Sequence, residues 1–162
     1  MKKASVIVIV ALGSLLVGGA PRAQEFKVVV NDANPLTSVS AKQLSRIFLK
    51  RTGKWPSGVP AVPIDRAAST DVRKEFSTAV HGRDISAIRA YWQRMIFSVH
   101  AVPPIVMSSD NEILAAVRAD PGAVGYVSGN TSIVDGVKVI EVTGIKQRNR
   151  ATGGADQPDG AE

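Results

Sequence analysis

Asp120-Pro121-Gly122-Ala123-Val124-Gly125-Tyr126-Val127 is the stretch on which the fold class turns. Aspartate, proline and glycine in succession specify a tight turn, and the short apolar run Ala123 to Val127 behind it reads as a strand. Just upstream, Ser109 and Glu112 stand three apart in a capping box, and Ile113, Leu114 and Val117 share one helical face. A helix therefore runs into the turn. Ile105 to Met107, ahead of that helix, reads as a buried strand, and Val137 to Val142 as a final one.

The same alternation extends toward the N-terminus. Lys27 to Val30 is a β-branched run that ends in an Asn31-Asp32 loop continuing through Asn34-Pro35. Ser40 precedes Gln43 by three residues, and Leu44, Ile47 and Phe48 fall on one face, which predicts a helix over Ala41 to Leu49. Lys50 to Pro60, with two glycines and two prolines, reads as an exposed turn, and Ala61 to Asp65 as a strand whose Pro63 belongs near an edge. Val72, Phe76, Ala79 and Val80 predict a helix over Asp71 to His81, with Ser69 or Thr70 as cap and Gly82 as stop. A second helix follows with Ile88, Tyr91, Trp92, Met95 and Ile96 on its apolar face, and Pro103-Pro104 ends it. The order β-α-β-α-α-β-α-β-β predicts an α/β domain with a mixed, largely parallel sheet flanked by helices. No repeat of fixed period interrupts it.

The two ends read differently. Residues 1–23 open with Lys2 and Lys3, continue as an apolar run from Val6 to Val17, and finish in small residues, the layout of a secretory signal. The run is short for a bilayer core of about 30 Å. Cleavage is expected after Ala23, with Ala20 as the other candidate, and it removes Lys2, Lys3 and Arg22. That leaves 17 basic against 14 acidic residues, a net charge of +3 rather than +6. The domain is assigned to residues 24–144 and a polar, non-periodic tail, read as disordered, to 145–162. With 162 residues, 44% of them hydrophobic and 21% charged, the chain fits one compact domain and excludes wholesale disorder. The absence of cysteine excludes disulfides, thiolate metal sites and a bacterial lipid anchor. A periplasmic or secreted location follows, which argues against kinases and transcription factors.

Three strand-to-helix turns carry hydroxyls at a helix start: Ser38 and Ser40; Ser69 and Thr70, with Arg66 just ahead; and Ser108 and Ser109. Unpaired N–H groups at a helix start suit an anion. Ordinary capping, worth about 1 kcal/mol, accounts for the same residues, and only at the second turn, through Arg66, does the anion reading stand level with it. Catalysis has little support. His81 and His100 lack metal-ligand spacing, Ser128 lacks the nucleophile-elbow order, and no phosphate loop or dinucleotide fingerprint is present. Asp65, Asp110 and Glu112 are explained by capping and solvation. Trp55, Tyr91, Trp92 and Phe97, with Arg83, Arg89 and Arg94, read as a core face backed by a solvated basic face rather than a nucleic-acid surface.

Two stretches carry a family resemblance. Leu44-Ser45-Arg46-Ile47-Phe48-Leu49-Lys50 followed by Trp55 resembles the "L-x-x-I-F-x-G … W" helix and loop of the phosphate-type substrate-binding proteins of ABC importers. Asp120 to Val127 resembles that family's "P-G-A-I-G-Y-V" turn and strand. The resemblance spans about Pro35 to Ser128 and implies a periplasmic-binding-protein fold of the second type, a non-enzymatic role, no cofactor, and an oxyanion such as phosphate as ligand. By position, the family's "R-x-D-G-S-G-T" anion turn falls on Arg66-Ala67-Ala68-Ser69-Thr70, giving Arg66, Ser69 and Thr70 counterparts while the glycines and the aspartate are absent. In place of the family's N-terminal Gly-rich turn stand Asn31 to Ser38, where Thr37 and Ser38 are the nearby hydroxyls. A membrane permease or a sensor is the implied partner. The alternative reading is a degenerate binding fold that serves as a protein-interaction or sensory module without an anion.

Overall fold

The computed structural model describes residues 26–145; the expected secretory signal, residues 24–25 and residues 146–162 of the expected tail lie outside them. Within this range six strands form one sheet: β1 (Phe26–Asn31), β2 (Ser38–Ser40), β3 (Val62–Arg66), β4 (Ile105–Met107), β5 (Ala123–Ser128) and β6 (Val137–Thr143). Four α-helices accompany them: α1 (Ala41–Phe48), α2 (Asp71–Phe76), α3 (Ile85–Val99) and α4 (Asp110–Ala119). The strand order is β2-β6-β1-β5-β3-β4. β1 runs antiparallel to both of its neighbours, and the other three pairings are parallel. The sheet is thus mixed and largely parallel, as expected. Only β1 is reversed, so the carboxyl ends of the other five strands share one edge.

Residue alternation divides the core. On one face Val28, Val30, Val124, Tyr126 and Ile140 pack beneath Leu44, Ile47 and Phe48 of α1 and Phe76 of α2. On the other face Val29, Ile64, Ala123 and Val127 meet Ile113, Leu114 and Val117 of α4. The result is three layers, with both faces of the central strands buried. Gly125 faces α4. A Cβ there would sit 2.6 Å from Ile113 Cγ2, so the glycine lets the helix lie directly on β5. The two stretches that carry the family resemblance also touch: Trp55, buried, donates from Nε1 to the Gly122 carbonyl at 3.2 Å.

Several local expectations change. β2, a three-residue strand that pairs with β6 in parallel, carries no sequence signal. Three residues cannot display a period, and pairing alone makes this one a strand. The helix from Asp71 is α-helical only to Phe76, then widens into a π-helical turn over Ser77–His81 that Gly82 closes at φ 63. β3 is an inner strand, which is a correction for Pro63. Its pairing with β4 starts only at Ile64, so the proline lies where that side of the strand is still free. β4 is not buried: Ile105 is 63% and Val106 57% exposed, because β4 is the end strand of the sheet. Ile145, placed in the tail by sequence, packs against the core under α1.

Both capping boxes form caps. Ser40 Oγ accepts from Gln43 N at 3.2 Å, and Ser109 and Glu112 make a reciprocal box at α4. α1 ends at Phe48, and two residues on, Lys50 turns the chain with a left-handed φ of 53. That conformation costs a residue other than glycine about 1–2 kcal/mol, and Lys50 stands where the resembled motif has glycine. The turn lets Arg51 N and Thr52 N both donate to the Arg46 carbonyl, folding the chain back beside α1.

Candidate functional site

The carboxyl edge of β3 delivers two adjacent charged residues, Asp65 and Arg66, both buried. Asp65 Oδ1 accepts from the Arg66 backbone N at 2.9 Å and from the Tyr126 hydroxyl, while Oδ2 lies 2.9 Å from Arg73 Nη2. Arg73 reaches it from the first turn of α2, and its Nη1 donates to Ser77 Oγ at 3.0 Å. The Tyr126 hydroxyl oxygen also accepts from Arg66 N at 3.2 Å. Burial pushes the Asp65 carboxyl above its ordinary pKa, and the attraction of Arg73 and the hydrogen bonds from Tyr126 and Arg66 only partly oppose it. The Tyr126 phenol is pushed up by burial and by the neighbouring Asp65 charge. Tyr126 therefore stays protonated and donates.

The Arg66 side chain turns to a second carboxylate. Its Nη2 lies 3.3 Å from Asp110 Oδ1, at the start of α4, with 8% of the arginine side chain exposed. Asp110 Oδ2 accepts from Ser128 N at 3.1 Å and from Thr131 Oγ1 at 2.6 Å, so the loop after β5 closes this edge. Burial raises the Asp110 carboxyl, but Thr131, Ser128 and the Arg66 charge outweigh it and hold the group below its usual range. The contact with Arg66 is close yet poorly aligned. Among the described residues Arg66 Nε and Nη1 and Asp110 Oδ1 are buried without a hydrogen-bond partner.

Of the hydroxyls assigned by sequence, Ser69 and Thr70 lie in the turn between Arg66 and α2. Thr70 Oγ1 donates to the Ala67 carbonyl at 2.8 Å and makes no capping bond, while Ser69 is exposed. Thr37 and Ser38 are not brought to them. Ser38 opens β2, four strand positions from β3, or about 19 Å at the usual strand spacing. The Thr37 carbonyl accepts from Glu141 N at 2.9 Å. Asp65 and Asp110, which capping and solvation seemed to explain, instead anchor two buried guanidinium groups. Arg73 and Ser77 carry a sequence signal only as a charged residue beside the apolar stripe Val72, Phe76 and Val80 with a hydroxyl four residues on. Tyr126 gives no sequence sign beyond its place in a strand.

His81 lies mostly buried on the π-helical turn, with Nδ1 2.9 Å from Ser45 Oγ. Burial and the positive charges of Arg73 and Arg83 lower its pKa from 6.5 to about 3. It is a poor base, and no carboxylate among the described residues supports its ring, so this serine–histidine pair lacks the parts of a nucleophilic site. The unfolded chain takes up a proton that the folded chain refuses between about 3 and 6.5. Stability from this group is complete above pH 6.5 and falls as the pH drops through that window. Asp65, with its raised pKa, acts in the opposite sense in acid. Melting curves at pH 7 and pH 4.5 are expected to separate more for the wild type than for His81→Gln; equal separations would refute the assignment.

Among the described residues no group of three or more His, Asp or Glu is placed to hold a metal, and no helix is long and apolar enough to cross a membrane.

No family model and no curated protein matches the chain. Solved structures do. A Clostridium perfringens protein described as a phosphate ABC transporter substrate-binding protein, solved with bound phosphate, superposes with a TM-score of 0.59 at 18% identity, over 75% of this chain and 46% of that one. An ABC-type phosphate transport receptor from Vibrio cholerae gives 0.58 at 23% identity, over 75% and 47%. PstS from Borrelia burgdorferi gives 0.52 at 17% identity, over 76% and 49%. The chain spans about half the length of these receptors. Over that half, its mixed sheet and flanking helices share the periplasmic-binding-protein-like fold of the phosphate substrate-binding proteins.

Proposed function

We propose that this chain is an exported solute-binding protein that holds phosphate or a similar oxyanion at the carboxyl edge of the sheet, for handover to an ABC-type permease. The observation that carries the reading is Arg66, a buried guanidinium with two nitrogens unpartnered and one imperfect ion pair. A buried donor without a partner costs about 1–3 kcal/mol, more when charged, and an anion's oxygens would remove that cost. Ser69 and Thr70 are the hydroxyls within reach in sequence, and Asp110 is the group an arriving anion would displace or share. Open α/β sheets bind ligands at this edge. The signal-like residues 1–23 support a periplasmic location.

Isothermal calorimetry with phosphate, sulfate and molybdate tests this. Heat is expected with at least one of them, and Arg66→Gln is expected to weaken binding about tenfold or more, the loss of a charge-assisted hydrogen bond. Circular dichroism on the variant confirms that it has folded. No heat from any oxyanion at millimolar concentration would remove the ligand.

The second reading, a protein-interaction or sensory module, is favoured by a separate feature. Phe97, Val99, Val102, Ile105 and Val106 are all more than half exposed along the end of α3 and β4. A stoichiometric partner retained from periplasmic extract, together with silent calorimetry, would support this second reading.

A further inference from the structure

The outer surface of α1 concentrates positive charge in a way the fold does not use. Lys42 and Arg46 are four residues apart on one helical face, both exposed, with Cβ atoms about 5–6 Å apart. Like charges at this spacing oppose helix formation. Among the described residues neither forms an ion pair.

A third cation is brought to them by the chain reversal at Lys50. Arg51 N donates to the Arg46 carbonyl at 2.8 Å, and the Arg51 guanidinium lies 5.3 Å from the centroid of the Tyr91 ring. Tyr91 is itself fixed, its hydroxyl donating to the Leu49 carbonyl at 2.8 Å. Arg51 is thus held in place before any ligand arrives.

These cations line a concavity of about 460 Å³, whose other walls are Ser45, Val80 and His81. An adjoining one of about 300 Å³ shares Lys42 and Arg46 and adds the polar side chains of Ser40, Gln43 and Thr52. Both volumes fall within or near the range of small-molecule sites. No acidic residue lines either. Neither includes Arg66, Asp110 or the turn between β3 and α2, so the feature is independent of the anion reading at Arg66.

We propose that this groove is a second binding site, for a small oxyanion that carries two or more negative charges on phosphate or carboxylate groups. Multivalency follows from the three cations: a single negative charge would leave mutual repulsion between the remaining two. Arginine forks at Arg46 and Arg51 match the paired oxygens of either group, with Lys42 as a point charge.

The experiment is an amide NMR titration of the ¹⁵N-labelled chain with pyrophosphate and with citrate, with acetate as the monovalent control. Saturable shifts are expected at residues 40–52 and 80–81 with at least one multivalent anion and not with acetate. The stronger response of the two identifies phosphate or carboxylate chemistry. The double variant Lys42→Gln with Arg46→Gln is expected to weaken binding about tenfold or more, whereas Arg89→Gln, an exposed charge on α3, leaves it unchanged. All these sites are on the surface, so folding is retained, and the dispersed spectrum checks it. Equal affinity in the double variant, absence of saturation with both anions, or shifts confined to residues 66–70 and 108–110 would overturn the proposal. The last of these outcomes would leave the Arg66 reading standing, and loss of phosphate heat in Arg66→Gln alone would leave this one standing.

Discussion

Replacing Asp65 with alanine is expected to destabilise the fold by about 3–5 kcal/mol, the cost of leaving a buried charge without its counter-ion. Arg73 is the charge in question. Its side chain is 7% exposed, and after the substitution only Ser77 Oγ remains as a partner among those observed. Tyr126 would lose the acceptor for its hydroxyl, and the Arg66 backbone N would lose one of its two acceptors. The raised pKa of Asp65 sharpens the expectation, because it shows that burial costs this carboxylate more than its partners return. Removing both charges should therefore be far milder than removing one. Urea denaturation of Asp65→Ala and of the double variant Asp65→Leu with Arg73→Met is the measurement. A single variant within about 1 kcal/mol of wild type, or a double variant less stable than the single one, would show that the pair does not work in this way.

Phe76→Ala is expected to cost about 3–5 kcal/mol, the usual range for removing a fully buried aromatic. Phe76 has no exposed surface, stacks on the Tyr126 ring with centroids 3.9 Å apart at 4°, and meets Phe48 at 4.8 Å and Phe26 at 5.5 Å. It also lies 5.4 Å from the His81 ring, at the junction where α2 becomes the π-helical turn. The cavity would open beneath Tyr126, whose hydroxyl holds Asp65 and Arg66 N. Phe76→Leu keeps most of the volume and should cost clearly less. Paired denaturation curves decide this, and equal losses in the two variants would mean that the ring stack, rather than apolar burial, carries the cost.

Periodicity made the longer helices and the inner strands legible. Leu44, Ile47 and Phe48, and Ile113, Leu114 and Val117, are buried as their spacing requires. The capping serines at positions 40 and 109 mark true helix starts. Errors fell where length or neighbours decide. β2 is too short to carry a pattern. Ile105 to Met107 has the composition of an inner strand but lies at the sheet's end, and composition does not report strand order. The resemblance joins Thr37 and Ser38 to Arg66, yet three intervening strands separate β2 from β3. Asp65 and Asp110 look solvated in sequence because a lone carboxylate gives no sign of the arginine facing it.

The α/β class, most element types and the presence of Arg66 at a strand end are legible from residues alone, since they follow from local chemistry: side-chain period, caps and turns. Folding in three dimensions sets the rest: β1 runs against its neighbours, Arg73 and Tyr126 close on Asp65, Asp110 leaves Arg66 half satisfied, and Arg51 returns to the face of Lys42 and Arg46. Each of these joins residues far apart in the chain or depends on the path of a turn, and their energy comes from burial and charge in the folded protein.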